Sequence, residues 1–383
     1  MPGFQTFKRF LSLRTTINPT NGFKLIQPVN HESIVLLTTP SQLNRSIEMM
    51  ADLQQKNKNL TAVLACVDTM LGSRNGIAEL WFKLAIQIVD YKALPDTGDE
   101  NEGEKSSFSD ASPIKLDKNW KDTAKDTSLT IHLNERNNIR LNLANTLFSN
   151  GESSTCFFVQ PNDHPSNWCN LQNLSIELPD EVDPNYEEFE CFNRLRELEF
   201  EEGQTENDLY QVTGYTSNMI ESINDQPAAT YLINNKEIQK SKRDLFIQLV
   251  DQNTTSRPFS TPSFNDKYYK ITVGGLGWGE KQGMIVLDPI VGDVGYKLCR
   301  LFQYDPSLPE SPPVPPEDGF FKIVAECSIP EHGFQEYHKN ETGLQQTVTG
   351  LVGLGSERGF QLNGVWHKSY GETLQLSLKQ SAD

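Results

Sequence analysis

Apolar residues are spread unevenly along the chain, and the first clear pattern lies at Ser33–Thr38 (SIVLLT), a short run rich in β-branched and aliphatic side chains. It stops at Thr39-Pro40-Ser41, residues suited to opening a helix. Leu43, Ile47, Met50 and Leu53 then recur at helical spacing with Arg45, Glu48 and Asp52 between them. Polar Gln54–Asn59 ends that helix, and Thr61–Val67 (TAVLACV) is a second apolar run. Strand, helix and strand at these lengths predict two parallel strands joined by a right-handed crossover.

Beyond residue 128 the pattern turns strand-like. Leu129–Leu133, Ile139–Leu143 and Thr155–Gln160 are followed by candidates at Leu245–Val250, Tyr268–Val273, Met284–Leu287, Phe320–Glu326, Thr347–Val352 and Leu374–Leu378. Leu195, Leu198 and Phe200 suggest a short helix within the acidic stretch 176–208. The predicted class is mixed α/β (α+β): an N-terminal βαβ unit with parallel strands, then a strand-rich C-terminal half. The proline-rich segment 306–319 reads as an extended surface loop. Residues 94–128, rich in acids, Ser and Lys with almost no aliphatic periodicity, read as a disordered insertion. The expected organisation is therefore 1–31 leader, 32–93 βαβ region, 94–128 insertion and 129–383 strand-rich region.

Charge sharpens this picture. Fifty-one acids stand against 34 bases, a formal net charge of -17. Such a surface repels phosphate backbones and anionic headgroups, which argues against direct nucleic-acid binding and against a peripheral membrane role. No apolar run approaches the ~18 residues of a transmembrane helix. Yet residues 1–31 carry Lys8, Arg9, Arg14 and Lys24 and no acid, and Phe4, Phe7 and Leu11 share one side of a helical wheel. That is the composition of a mitochondrial transit peptide, so the expectation is a soluble matrix protein that loses roughly its first 15–30 residues. The six cysteines are scattered without a CxxC pair, which is no disulfide scaffold; Cys66, Cys299 and Cys327 sit in apolar stretches and read as core.

Three constellations are candidates for chemistry. The loop Asp68–Gly76 leaves the carboxyl end of the second strand, as Thr38 and Thr39 leave that of the first, and ligands of parallel α/β sheets sit outside such ends. There the Asp68 carboxylate would accept from an amine, and Arg74 would grip a carboxylate with two hydrogen bonds, beside Asn75. The turn-forming alternative, with Asp68 and Asn75 as turn residues and Arg74 solvated, uses the same residues. The second is Gly274–Gly283, whose Gly275, Gly277 and Trp278 could line a ligand pocket or simply form a hairpin. It fits neither a Walker A loop nor a dinucleotide fingerprint. The third, Gly350–Gly359, reads as turn chemistry, with Ser356 on no nucleophile elbow. Glu331, His332, Glu336 and His338 cluster without an HExxH order, and His164 near Cys169 makes no distinctive pair, so no catalytic residue, metal site or cofactor is expected.

The segment ESIVLLTTPSQLNRSIEMMADLQQKNKNLTAVLACVDTMLGSRNGIAEL resembles the opening of FIST domains, the intracellular sensory modules of bacterial signalling proteins and some eukaryotic F-box proteins. There a strand, a Ser/Pro turn and a helix lead to a strand ending in a small-residue loop. Here Ala65-Cys66-Val67-Asp68 stands at that place, with Val67-Asp68 departing from the small residues. The likeness covers about 50 residues and implies binding of a small, amino-acid-like polar ligand without catalysis. The expected function is thus a non-enzymatic ligand-binding or sensory protein, with Thr38, Thr39, Asp68, Arg74, Asn75, Gly275, Gly277 and Trp278 as ligand contacts. The alternative is a matrix assembly or gene-expression accessory factor that meets basic protein partners through its acidic stretch and proline-rich loop.

Overall fold

The computed structural model describes residues 11–93, 127–134, 137–163, 168–179, 182–183, 189–198, 209–241, 243–251, 267–274, 283–287, 297–308, 320–328 and 343–380. The fold is mixed α/β and strand-rich, with parallel strand pairs in three of its sheets. It divides into two units. Unit 1 comprises residues 1–189, 313–364 and 374–383, and unit 2 comprises 190–312 and 365–373. The strand-rich stretch 129–383 contributes residues to both units.

Unit 1 opens with β1 (Leu11–Ile17), β2 (Ser33–Thr38), α1 (Leu43–Lys56), β3 (Thr61–Cys66) and β4 (Gly76–Phe82). The βαβ unit is present: β2 and β3 run parallel, with Ser33 opposite Thr61 and Thr38 opposite Cys66. Every residue of β2, β3 and β4 is buried, which is why these strands read as unbroken apolar runs rather than as alternation. Leu43, Met50 and Leu53 of α1 pack against Ile34 and Leu36 of β2 and Leu64 of β3 in one core. The sheet runs in the order Gln346–Thr349, β1, β4, β2, β3, β8, where β8 is Cys156–Val159.

Part of the segment expected as a leader, Leu11–Ile17, is a strand of unit 1. Leu11, which the helical wheel placed on an amphipathic helix, begins a strand paired with β4 from Leu11–Phe82 to Ile17–Gly76. On its other edge it pairs with Gln346–Thr349. Arg14, counted above among the charges of an address, donates through Nε to Oε1 of buried Glu79 at 2.9 Å. The Trp81 indole N–H donates to the other oxygen at 3.0 Å. Residues 1–10 lie outside the described residues.

A further sheet of unit 1 contains β5 (Gln87–Ala93), β6 (Ser128–His132), β7 (Asn138–Asn142) and β9 (Leu171–Glu177), with Phe360–Leu362, in the order Phe360–Leu362, β7, β6, β9, β5. The end of the supposed insertion belongs to this fold: the Thr127 carbonyl accepts from the Leu143 N–H at 2.9 Å, and Ser128 opens β6. Residues 94–126 are outside the described set. The single strand expected at Thr347–Val352 is two strands in different sheets, Gln346–Thr349 and Leu351–Ser356, broken at Gly350, whose φ is 78°. Leu351–Ser356 lies parallel to Phe320–Cys327.

Unit 2 is an antiparallel barrel. Its strands close in the ring Lys297–Tyr304, Tyr210–Thr216, Met219–Ile223, Ile285–Leu287, Tyr268–Gly274, Leu245–Asp251 and back to Lys297–Tyr304. Val212, Ile220, Ile247, Ile271, Ile285 and Leu301 belong to its core. Closure joins Leu245–Asp251 along its whole length to Lys297–Tyr304, from Leu245–Gln303 to Asp251–Lys297. Helices Ala228–Ile233 and Lys236–Ser241 connect two of them. Leu195–Glu197, expected in a helix, is a strand paired with the end of Lys297–Tyr304, while Phe200 lies outside the described residues.

Candidate functional site

At the carboxyl ends of β2 and β3 the structure gathers five of the expected site residues. The loop after β3 folds back at Leu71-Gly72, both at positive φ (50° and 76°), with reciprocal backbone bonds between Met70 and Ser73 at 2.8 and 2.9 Å. This is a tight hairpin turn of the kind that glycine at its second central position favours. The base of the loop lies on the backbone of Leu351–Ser356. The Asp68 N–H donates to the Gly355 carbonyl at 3.0 Å, and the Gly355 N–H donates to the Thr69 carbonyl at 2.8 Å. A Cβ on Gly353 would lie 2.5 Å from the Leu71 nitrogen, and one on Gly355 would lie 2.5 Å from the Ser328 hydroxyl. The glycines of GLVGLG are thus where one backbone approaches another; only Ser356–Gly359 behaves as the turn that the sequence suggested, with the Gly359 N–H on the Ser356 carbonyl at 3.1 Å.

Side-chain chemistry completes the joint. The Asp68 carboxylate accepts from the Glu357 N–H at 2.8 Å, and the Glu357 carboxylate pairs with Arg74 at 2.7 Å. Burial is the main force pushing the Asp68 carboxyl up to about 6, and the Glu357 charge adds to it; the Glu357 N–H, Arg74 and Arg358 oppose. Burial, reinforced by the Asp68 charge, also pushes the Cys66 thiol well above its ordinary value, so this cysteine is not a ready thiolate. Thr38 and Thr39 are fully buried. The Ser46 hydroxyl donates to that of Thr38 at 2.9 Å, and the Gly76 N–H donates to that of Thr39 at 3.0 Å. Asn75 accepts from the Gln42 amide at 2.7 Å and donates to Asn18 at 3.1 Å.

Thr38, Thr39, Asp68, Arg74 and Asn75 therefore do converge, with these polar atoms turned onto neighbours within unit 1. Sequence reasoning missed Glu357, which joins Asp68 to Arg74; the signal was its position between Ser356 and Arg358, two charges inside a glycine-flanked turn. Gly275, Gly277 and Trp278 lie outside the described residues, as do His164, Glu331, His332, Glu336 and His338. Among the described residues no group of three or more His, Cys, Asp or Glu is placed to hold a metal ion. Cys66, Cys299 and Cys327 are buried thiols in no disulfide, as is Cys156.

The described ends of the glycine-rich segment lead to a second place. Gly274 lines a cleft of about 320 Å³ in unit 2 together with apolar Leu232, Ile233, Ile238, Leu245 and Ile271 and polar Gln239, Arg243 and Asp244. The Gly283 carbonyl accepts from the Ala229 N–H at 2.8 Å, so both ends of the segment meet helix Ala228–Ile233. No family model, curated protein or solved structure matches this chain.

The charges beside the cleft are paired. Lys270 bonds Asp244 at 3.1 Å and the Tyr370 hydroxyl at 3.1 Å, and its ammonium lies 4.8 Å from the centre of the Tyr370 ring. Burial works against the Lys270 charge, but Tyr370 and Asp244 outweigh it and raise its pKa. Arg243 pairs through one nitrogen with Asp305 at 3.0 Å. Asp305 also accepts from the Ser307 N–H at 3.1 Å and the Ser307 hydroxyl at 2.7 Å.

Proposed function

We propose that this chain is a non-enzymatic small-molecule-binding protein and that the cleft of unit 2, rather than the loop after β3, receives the ligand. The observation that carries the reading is the cleft itself. Its volume of about 320 Å³ falls at the lower end of the range of roughly 300–1,000 Å³ typical of ligand sites, and its lining combines apolar side chains with a few polar groups. Binding without turnover suits the chemistry: Lys270 is held as a charged ammonium by Tyr370 and Asp244, which makes it a poor nucleophile or base. At the joint after β3 the candidate donors and acceptors already serve one another, leaving a ligand to compete with Glu357 for both Asp68 and Arg74.

A thermal-shift screen of small metabolites on the full chain tests the proposal. A ligand at a hundredfold excess over its Kd stabilises the native state by about 2.7 kcal/mol. The stabilisation is expected to vanish in Gly274→Val, whose Cβ would fall 2.5 Å from Leu232 Cδ1 and displace that lining side chain. Hits that stabilise this variant as well as the parent chain would refute the cleft as the site.

A further inference from the structure

We infer that the ligand of the unit 2 cleft is a small amphipathic anion, a carboxylate on an aliphatic tail, with Arg243 as its anchor; this rests on the cleft being the binding site. The charges around the cleft are unequally compensated. Asp244 faces the ammonium of Lys270 at 3.1 Å, so its charge is answered within the fold. Asp305 is answered several times over, by the Ser307 N–H and hydroxyl, by Arg243 and, at 3.7 Å, by Arg196. Arg243 commits one nitrogen to this shared carboxylate, at 3.0 Å. A guanidinium has five N–H donors in a planar fork that matches a carboxylate with two parallel bonds. With its side chain lining the cleft and 37% exposed, it retains donors for an incoming anion without releasing Asp305.

The apolar part of the lining accounts for the tail. Leu232, Ile238, Leu245 and Ile271 offer aliphatic surface with no polar group among their side chains. Leu232 packs directly on Gly274, so that any side chain there would displace this part of the lining. A head at Arg243 and a tail along these four residues use the charged and the apolar parts of the lining together. A doubly charged or wholly polar ligand would leave the apolar wall wet, and a hydrocarbon would leave Arg243 unused.

The test measures butanoate, hexanoate, hexan-1-ol and hexylamine by titration calorimetry on the full chain and on Arg243→Gln, Arg243→Lys and Gly274→Val, each first checked for a native melting profile. The affinity for hexanoate is expected to exceed that for butanoate by about fourfold per methylene. Hexanoate is expected to exceed hexanol by tenfold or more, a preference lost in Arg243→Gln and partly kept in Arg243→Lys, while hexanol binding stays unchanged in both. Hexanol or hexylamine binding as tightly as hexanoate, with all of them blocked by Gly274→Val, would overturn the anion assignment and leave the cleft as a binding site. Binding that ignores Gly274→Val would overturn the cleft itself.

Discussion

Asp68 shows how one residue type can satisfy two readings of a sequence and behave as neither expected. It was legible as special because an acid follows an apolar strand directly. What the sequence did not carry is its burial, which comes from Leu351–Ser356 some 290 positions later lying against it. A carboxyl whose folded pKa is raised holds its proton more tightly in the native chain than in the unfolded one. Its contribution is therefore neutral below the unfolded value near 3.8, falls as pH rises toward about 6, and stays unfavourable above that. The difference corresponds to up to roughly 3 kcal/mol. Asp68→Asn keeps an acceptor for the Glu357 N–H and abolishes the ionisation. Urea unfolding of unit 1 is expected to show this variant more stable than the parent at pH 8 and equal to it at pH 4. Glu79, also raised chiefly by burial, leaves a residual slope of the same sign. A destabilised Asp68→Asn at pH 8 would show that Arg74 and Arg358 depend on the Asp68 charge.

At the level of elements, legibility followed the range of the interactions. The β2–α1–β3 unit was readable because its helical period and its two apolar runs are local signals, and its crossover joins neighbours in sequence. β1 was not, because four bases without an acid suggested an address. The overlooked signal is the alternation of Leu11, Leu13 and Thr15, all buried, with Ser12 and Arg14 on the other face. Leu195–Leu198 misled for the opposite reason: its apolar spacing suits a short helix, but Lys297–Tyr304 offers a strand edge that only tertiary structure reveals. The barrel closure of Leu245–Asp251 on Lys297–Tyr304 is likewise invisible to any local pattern. Mitochondrial import stays a proposal resting on the basic N-terminus, and β1 sets its terms. Removing residues 1–17 would strip a strand from between two partners and leave buried Glu79 without Arg14, a change that typically costs about 3–5 kcal/mol for the charge alone. A chain beginning at Leu11 is expected to unfold cooperatively like the full chain, and one beginning at Asn18 to lose the unit 1 transition in circular dichroism melts. N-terminal sequencing of the organellar protein is expected to find a start before Leu11.

Across the whole molecule, the chain leaves unit 1 after residue 189, returns at 313, and crosses once more for residues 365–373. That last short passage is built into unit 2. Tyr370 sets its ring edge-on to Phe246 and Tyr304, at centroid distances of 6.3 and 6.2 Å, and carries Lys270 on its face. The passage is itself pinned: Glu372 takes His367 on one oxygen at 2.7 Å and the N–H and hydroxyl of Ser369 on the other, at 3.1 and 2.8 Å, all of them buried. Gly371, at φ 76°, faces Arg194 so closely that a Cβ would lie 2.6 Å from Arg194 Cδ. A barrel that completes its aromatic cluster from beyond residue 364 cannot reach full stability until nearly all of the chain is present. Contacts of such sequence separation also repay their loop-closure entropy late in folding. Each aromatic pair contributes about 0.5–1.5 kcal/mol beyond its area. Tyr370→Ala is therefore expected to lower the hydrogen-exchange protection of Leu245–Asp251 and Lys297–Tyr304 by about 1–3 kcal/mol. A fragment of residues 190–312 alone, lacking the Glu372 network as well, is expected to lose more than the point variant does. Equal protection in fragment and full chain would show that the barrel stands without the passage, and the cleft beside Lys270 would then owe its shape to residues 190–312 alone.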